Sequence, residues 1–253
     1  MTVYFIGAGP GAPDLLTIRG RDLIARCPLC LYAGSIVPEA VVAHAPPGTR
    51  LISSAPFSLP EIVDLLAEAD GRGEDVARVH SGDPAIFSAI GEQIEALNAR
   101  GIAYEIVPGV PAYAAGAAAL ARELTLPGIA QSLVLTRTSK RSSPMPEGEE
   151  LEAFARTGAT LALHLSAKAV REIAERLAPI YGADCPAAMV FNASRDDEMV
   201  LTGTLDDIAD QARRAGISRM AMIYVGRALA GIPARNSALY DAEHQRLYKG
   251  RKD

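Results

Sequence analysis

The sequence predicts an α/β protein with two sheets, a parallel one in the N-terminal part and a mixed one in the C-terminal part. Three observations predict it. Short β-branched runs alternate with longer amphipathic stretches through the first half; a Pro- and Gly-bearing stretch follows near residue 123; and the alternation then restarts, with two strand candidates side by side. The domains are therefore expected at 1–122 and 123–253. At 253 residues the chain is long enough for two such domains.

The elements follow in order. Strands are expected at 3–6, 29–33, 49–53, 75–80 and 104–107, with helices at 15–26, 38–45, 60–70 and 86–100 between them. Strands joined through helices at this spacing form βαβ units, and hence a parallel sheet. In the helix at 60–70, Ile62, Leu65, Leu66 and Ala69 repeat at the spacing of one buried face. The run 112–121 is almost all Ala and Leu, which predicts a buried helix that lets its neighbours approach closely. Glu123-Leu-Thr-Leu-Pro-Gly128 reads as a linker. Beyond it, strands are expected at 132–136, 160–165, 187–191, 198–202 and 220–225, and helices at 149–156, 168–181 and 205–215. The neighbouring strands near 190 and 200 predict a hairpin, which makes the second sheet mixed. Segment 139–150 is polar and rich in Ser and Pro and reads as a long loop of the kind that often carries function. The last fifteen or so residues read as a polar surface tail.

Composition removes several classes. Hydrophobic residues make up 49% and charged residues 22%, which favours a packed core over disorder. No run of about 18 apolar residues is present to span a membrane, and the N-terminus enters a strand pattern directly instead of a secretory leader. A cytoplasmic protein without a membrane partner is expected. The net charge of −5 disfavours a nucleic-acid partner, whose phosphates call for a basic surface. Cys27, Cys30 and Cys185 are too few, and odd in number, for a disulfide framework. Cys27-Pro-Leu-Cys30 follows a helix, whereas a redox pair opens one, and no further ligands complete a zinc site. No metal is expected.

Three loops carry the chemistry. Gly7-Ala-Gly9-Pro-Gly11 follows the first strand, and its glycines allow backbone to approach a ligand closely. Gly7, Gly9 and Ala12 satisfy the dinucleotide template, but no carboxylate ends the second strand, Leu31-Tyr-Ala-Gly-Ser35, to hold a ribose. Pro10 also removes a donor from any phosphate cradle. His80-Ser-Gly-Asp-Pro84 follows the fourth strand, and Asp83 there is placed to contact a ligand, to cap the next helix, or both. Val107-Pro-Gly-Val-Pro-Ala112 follows the fifth. Three such loops on one edge of a sheet predict a binding crevice. His80 and His164 fit structural roles better than ligand contacts.

These motifs, with Leu15-Leu-Thr17, occur in an order and spacing that resemble the tetrapyrrole methylases along essentially the full chain. The resemblance implies two αβα domains with the active site in a trough between them, S-adenosylmethionine as methyl donor, a tetrapyrrole small-molecule substrate and a homodimer. Carried over by position, it implies cofactor contacts at Pro10, at Ser81, Gly82, Asp83 and Ile86, at Pro111 and Ala112, and at Leu165 and Ala193. The uroporphyrinogen branch carries a Tyr-Asp pair at the end of strand two, and its Asp is assigned as proton acceptor. Here the pair is Tyr32-Ala33, so that base is absent and no catalytic residue is assigned. Tyr32-Ala-Gly-Ser35, Glu123-Leu-Thr-Leu-Pro127, Gln131 and Leu135-Thr-Arg137 are similar to the branch that methylates carbon 11 of precorrin-4, metal-free or cobalt-loaded. Tyr32, Ser35, Arg122, Gln131, Arg137, Lys140 and Arg141 are the substrate-binding candidates, with Arg195 a further cation suited to the carboxylate arms of a tetrapyrrole. A nicotinamide-dependent oxidoreductase and a non-enzymatic tetrapyrrole carrier are the alternatives from other classes.

Overall fold

A computed structural model describes residues 1–139 and 144–233, arranged as two compact units. Unit 1 comprises Met1–Gly116 together with Asn192–Glu198, and unit 2 comprises the described residues of Ala117–Phe191 and those from Met199 to residue 233.

Unit 1 holds a five-stranded, wholly parallel sheet in the order β3-β2-β4-β1-β5. The strands are β1 (Thr2–Gly7), β2 (Leu29–Tyr32), β3 (Arg50–Ser53), β4 (Val76–His80) and β5 (Ala103–Val107). Side chains alternate across it with the period of two that a strand imposes. One face carries Tyr4, Ile6, Cys30, Tyr32, Ala77 and Val79, and packs on α1 (Ile18–Arg26) and α2 (Glu39–Val42) through Leu23, Ile24, Val41 and Val42. The other carries Val3, Phe5, Leu29, Leu31 and Val76 against α3 (Leu59–Gly71) and α4 (Gly91–Arg100), through Ile62, Leu66, Ala69 and Leu97. Burial on both faces explains why β1, β2 and β4 read as apolar runs.

Local chemistry sets the helix ends. The Thr17 hydroxyl accepts the Gly20 amide and starts α1. Glu61 reaches back to the Ser58 amide at 2.7 Å and starts α3. The helix expected from residue 86 starts only at Gly91, because Phe87 and Ala89 take left-handed φ values of 53° and 48°. Residues 13–15 form a separate 3-10 turn ahead of α1. Helix α5 (Ala112–Ala119) is less buried than expected: Ala115 and Gly116 are buried, but Ala118 is exposed.

Unit 2 holds the order β6-β7-β10-β8-β9, from β6 (Leu133–Arg137), β7 (Thr160–His164), β8 (Pro186–Phe191), β9 (Met199–Thr204) and β10 (Ala221–Val225). Strands β6 and β7 are parallel and the other pairings antiparallel, including the expected β8–β9 hairpin, so the sheet is mixed. Leu161, Leu163, Met189 and Ile223 pack on α6 (Leu151–Ala155), α7 (Val170–Tyr181) and α8 (Ile208–Arg214). The stretch 123–128, read as a linker, is a packed part of this unit. Leu124 and Leu126 are buried, and the Thr160 hydroxyl donates to the Leu124 carbonyl at 2.7 Å. Its Pro and Gly shape a bonded turn between Leu126 and Ala130.

Candidate functional site

The three loops predicted from sequence meet at the C-terminal ends of β1, β4 and β5, which are adjacent in the sheet. Parallel strands bring their C-terminal loops to the same edge, where ligands of open α/β sheets collect. The loops are bonded to one another. The Ala8 amide donates to the His80 carbonyl at 2.7 Å, and Gly9 and Gly82 exchange amide-to-carbonyl bonds of 3.2 and 2.8 Å. Gly7, Gly82 and Gly109 pack backbone on backbone. A Cβ at Gly7 would sit 2.5 Å from the Gly109 nitrogen and 2.7 Å from the Gly82 oxygen, and one at Gly109 would sit 2.7 Å from the Gly7 Cα. Glycine is required at Gly7 and Gly109 by this close approach.

Asp83 completes the pad. One carboxylate oxygen accepts from the Gly109 amide at 2.9 Å and the other from the Ala85 amide at 2.8 Å. The helix-cap reading is corrected: no helix follows directly, and Asp83 caps the turn 83–86 and fastens the second loop to the third. Pro84 is buried in that turn and does not open a helix. Around the pad, Pro10, Ser81, Ile86, Pro111 and Ala112 are half-buried and Ala193 is buried, all within unit 1. Leu165 lies in unit 2, just past β7. Its side chain is 57% exposed and its φ is 55°, a strained conformation for a non-glycine residue.

The loop after β2 is held from beneath by a buried network that the sequence reading missed. Arg78 donates to Gln93 at 3.0 Å, to the Ser54 hydroxyl at 3.1 Å and to the Leu31 carbonyl at 3.3 Å. Ser54 in turn donates its amide to the Tyr32 carbonyl at 2.8 Å. Burial lowers the Arg78 pKa to about 10. A charge in the middle of the apolar run Val76-Ala-Arg-Val-His80 was the available signal. Tyr32 itself is buried, its ring in the core, whereas Ser35 is exposed. His80 is buried against Phe5 and hydrogen-bonds the Ser88 backbone; burial first, and Arg78 second, push its pKa down to about 3. Burial likewise lowers His164 to about 4.

The cationic candidates divide. Arg122 donates to the Leu229 and Ala121 carbonyls at 2.9 and 3.1 Å, and Arg137 to the Thr138 and Pro144 carbonyls at 3.2 and 3.3 Å. Both hold backbone segments of unit 2. Gln131 is exposed. Lys140 and Arg141 lie outside the described residues. Cys27 and Cys30 are free, buried thiols pushed up to about 11 and about 12 by burial, which suits core packing. Among the described residues, no group of three or more His, Cys, Asp or Glu side chains is arranged to hold a metal, and no helix is long and apolar enough to cross a membrane.

A parallel αβα unit with three interlocked Gly/Pro loops at one sheet edge, in a chain that also carries a mixed-sheet unit, defines a class. The sequence pattern of the tetrapyrrole (corrin/porphyrin) methylases matches residues 2–209, and the chain belongs to that family. It is 55% identical over 251 residues to a precorrin-4 C(11)-methyltransferase of Sinorhizobium sp., covering 99% of both chains. Among solved structures it is similar to a cobalamin biosynthetic enzyme, cobalt precorrin-4 methyltransferase, with a TM-score of 0.88 and 38% identity over 90% of this chain and 95% of that one. It is also similar to uroporphyrin-III C-methyltransferase from Thermus thermophilus complexed with S-adenosylhomocysteine, with a TM-score of 0.76 and 26% identity over 92% and 100% of the two chains.

Proposed function

We propose that this protein moves the methyl group of S-adenosylmethionine to carbon 11 of precorrin-4, giving precorrin-5 and S-adenosylhomocysteine in corrin biosynthesis. The observation that carries this reading is 55% identity, end to end, with a precorrin-4 C(11)-methyltransferase. Within the family, the run Tyr32-Ala-Gly-Ser35 supports the same branch. The protein acts as a cytoplasmic homodimer, its two halves drawn at 1–122 and 123–253.

The loop pad fits the methyl donor. Asp83 is the only acidic side chain in 7–11, 80–84 and 107–112, and the one basic side chain there, His80, is buried with its pKa pushed down to about 3. A sulfonium cation therefore meets backbone and one carboxylate, and no competing positive charge from these loops. Pro10, Ser81, Gly82, Asp83, Ile86, Pro111, Ala112 and Ala193 are the donor contacts in unit 1 on this reading. The donor supplies an electrophilic methyl carbon. The chain supplies position: the pad cannot shift one loop without breaking bonds to the others, and holding reactants as a near-attack pair is worth roughly 7–11 kcal/mol. Ala33 stands where the uroporphyrinogen branch has its acid. This suits an acceptor carbon that is electron-rich without help from a protein base.

The test is turnover of methyl-labelled S-adenosylmethionine with precorrin-4, metal-free and cobalt-loaded, with the methylated carbon read by NMR. Methylation at carbon 11 of the metal-free substrate is expected. Methylation at carbon 17, turnover of the cobalt form alone, or no turnover of either would overturn the assignment.

A further inference from the structure

The loop Asn192–Glu198 between β8 and β9 belongs to unit 1, and it is built to stay rigid. The Asn192 side chain donates to Asp197 at 2.8 Å, the Ser194 amide to Glu198 at 2.6 Å, and the Arg195 and Glu198 amides to the carbonyls of Asn192 and Arg195 at 3.0 and 2.9 Å. Asn192 and Ser194 are held at left-handed φ values of 46° and 70°. Such conformations persist only where their surroundings over-determine them.

Two groups leave this loop for the first motif. The Ser194 hydroxyl accepts the Ala12 amide at 3.0 Å. The Arg195 side chain runs across Gly11: a Cβ there would sit 2.5 Å from its Nε and 2.6 Å from its Cγ. The guanidinium continues to the Ile36 carbonyl, donating at 2.6 Å. Ile36 directly follows Tyr32-Ala-Gly-Ser35. One half-buried arginine thus touches the loop proposed to contact the methyl donor and the turn that follows the branch-specific run. Burial lowers its pKa, with Asp197 opposing. As a carboxylate ligand for substrate, Arg195 would have to turn away from both contacts.

Resting on the methyltransferase reading, we propose that Arg195, assisted by Ser194, is a positioning residue for the methyl donor. It fixes Gly11–Ala12 and the Ile36 turn in a single geometry. It acts through these backbones, so its loss weakens donor binding and leaves acceptor binding nearly unchanged.

The test uses the full chain with Arg195→Ala, Arg195→Lys and Ser194→Ala. Dissociation constants for S-adenosylhomocysteine come from calorimetry, KM values for donor and precorrin-4 from turnover, and amide exchange at residues 8–16 from mass spectrometry. Arg195→Ala should raise the dissociation constant and the donor KM about tenfold or more, as loss of a hydrogen bond from a charged donor implies, with the precorrin-4 KM within about twofold of wild type. Arg195→Lys keeps a cation able to reach the Ile36 carbonyl and should recover part of the loss. Ser194→Ala should cost roughly fivefold and speed exchange at Ala12. Wild-type donor affinity in Arg195→Ala, or a raised precorrin-4 KM alone, overturns the proposal. If Arg195→Ala does not fold, unchanged affinity in both other variants overturns it. If wild type binds no S-adenosylhomocysteine, the functional reading fails, and exchange at 8–16 still decides: rates unaltered by Arg195→Lys and Ser194→Ala overturn the positioning role.

Discussion

Gly109→Ala tests the loop pad directly. A Cβ at Gly109 would lie 2.7 Å from the Gly7 Cα and 2.8 Å from its carbonyl carbon, and nearer still to the Gly82 oxygen. All three atoms are backbone, so no side chain can swing aside. Restoring an ordinary 3.4 Å contact to all three needs a shift of at least about 1.2 Å, set by the Gly82 oxygen. That shift stretches the 2.9 Å bond from the Gly109 amide to Asp83 beyond hydrogen-bond range. Overpacking of this kind costs about 1–3 kcal/mol, and a lost hydrogen bond to a charged acceptor about 1.5–3 kcal/mol. The two overlap, because the shift that relieves one causes the other, so about 3 kcal/mol is expected in total. At 2–4 °C per kcal/mol for a chain of this size, the melting midpoint should fall by about 6–12 °C. Misplacement of a site by about 1 Å can cost roughly a hundredfold in turnover. The control is Gly91→Ala at the start of α4, where a Cβ meets nothing within 4 Å; it should melt at or slightly above wild type. Thermal melts by circular dichroism and turnover assays read both variants. A Gly109→Ala protein that melts and turns over like Gly91→Ala would refute the claim that the glycines exist for loop-on-loop packing.

Acid should weaken the fold through buried histidines. A native pKa of about 3 for His80, against about 6.5 unfolded, gives stability that is full above pH 6.5 and is lost as pH falls toward 3. Between pH 6 and 4.5 this is about 2 kcal/mol from His80 alone, so urea midpoints of His80→Gln should vary with pH less steeply than wild type by that amount; parallel curves would sink the assignment. The thiols Cys27 and Cys30 should resist iodoacetamide at pH 8 in the native protein and react at once in urea, as read by mass spectrometry. Native labelling of either would show a reachable thiolate and contradict their burial.

The strands were legible because burial on both faces leaves continuous apolar runs such as Val76–Val79, and the loops were legible because Gly and Pro mark strand ends. What stayed hidden depends on partners far along the chain. Gly7, Gly82 and Gly109 meet only after the strand order β4-β1-β5 is known. The bonds from Asn192–Glu198 to Gly11–Ala12 span about 180 residues. Helix α4 was extended too early because an Asp-Pro pair mimics a helix start, and nothing in the sequence announces left-handed Phe87 and Ala89. The stretch 123–128 has linker composition, yet Leu124 and Leu126 are its buried anchors. Charge and place in the sequence nominate the cationic candidates, and neither can foresee that Arg122 and Arg137 donate to backbone carbonyls. The methyl donor is read from the order of the three loop motifs, and the acceptor from Tyr32-Ala-Gly-Ser35 and the stretch from Glu123 to Arg137.

The hydrogen bonds of the first loop also decide between the two ligands that its glycines could suggest. A dinucleotide loop needs free backbone amides to receive a pyrophosphate. Here the Ala8 amide is taken by the His80 carbonyl, the Gly9 amide by Gly82, the Gly82 amide by Gly9, the Ala12 amide by Ser194 and the Gly109 amide by Asp83, while Pro10 has none to give. To bind a pyrophosphate, these amides would have to abandon internal partners, and a phosphate would then stand beside the one carboxylate in the three loops. The glycines are therefore spent on joining loops to each other. Pro10, Ile86 and Pro111 stand half-buried around these bonded amides, and the Asp83 carboxylate is held among them by the Gly109 and Ala85 amides. A pyrophosphate would therefore have to break the bonds that join the three loops and stand against Asp83, which weighs against the dinucleotide reading of the glycine pattern.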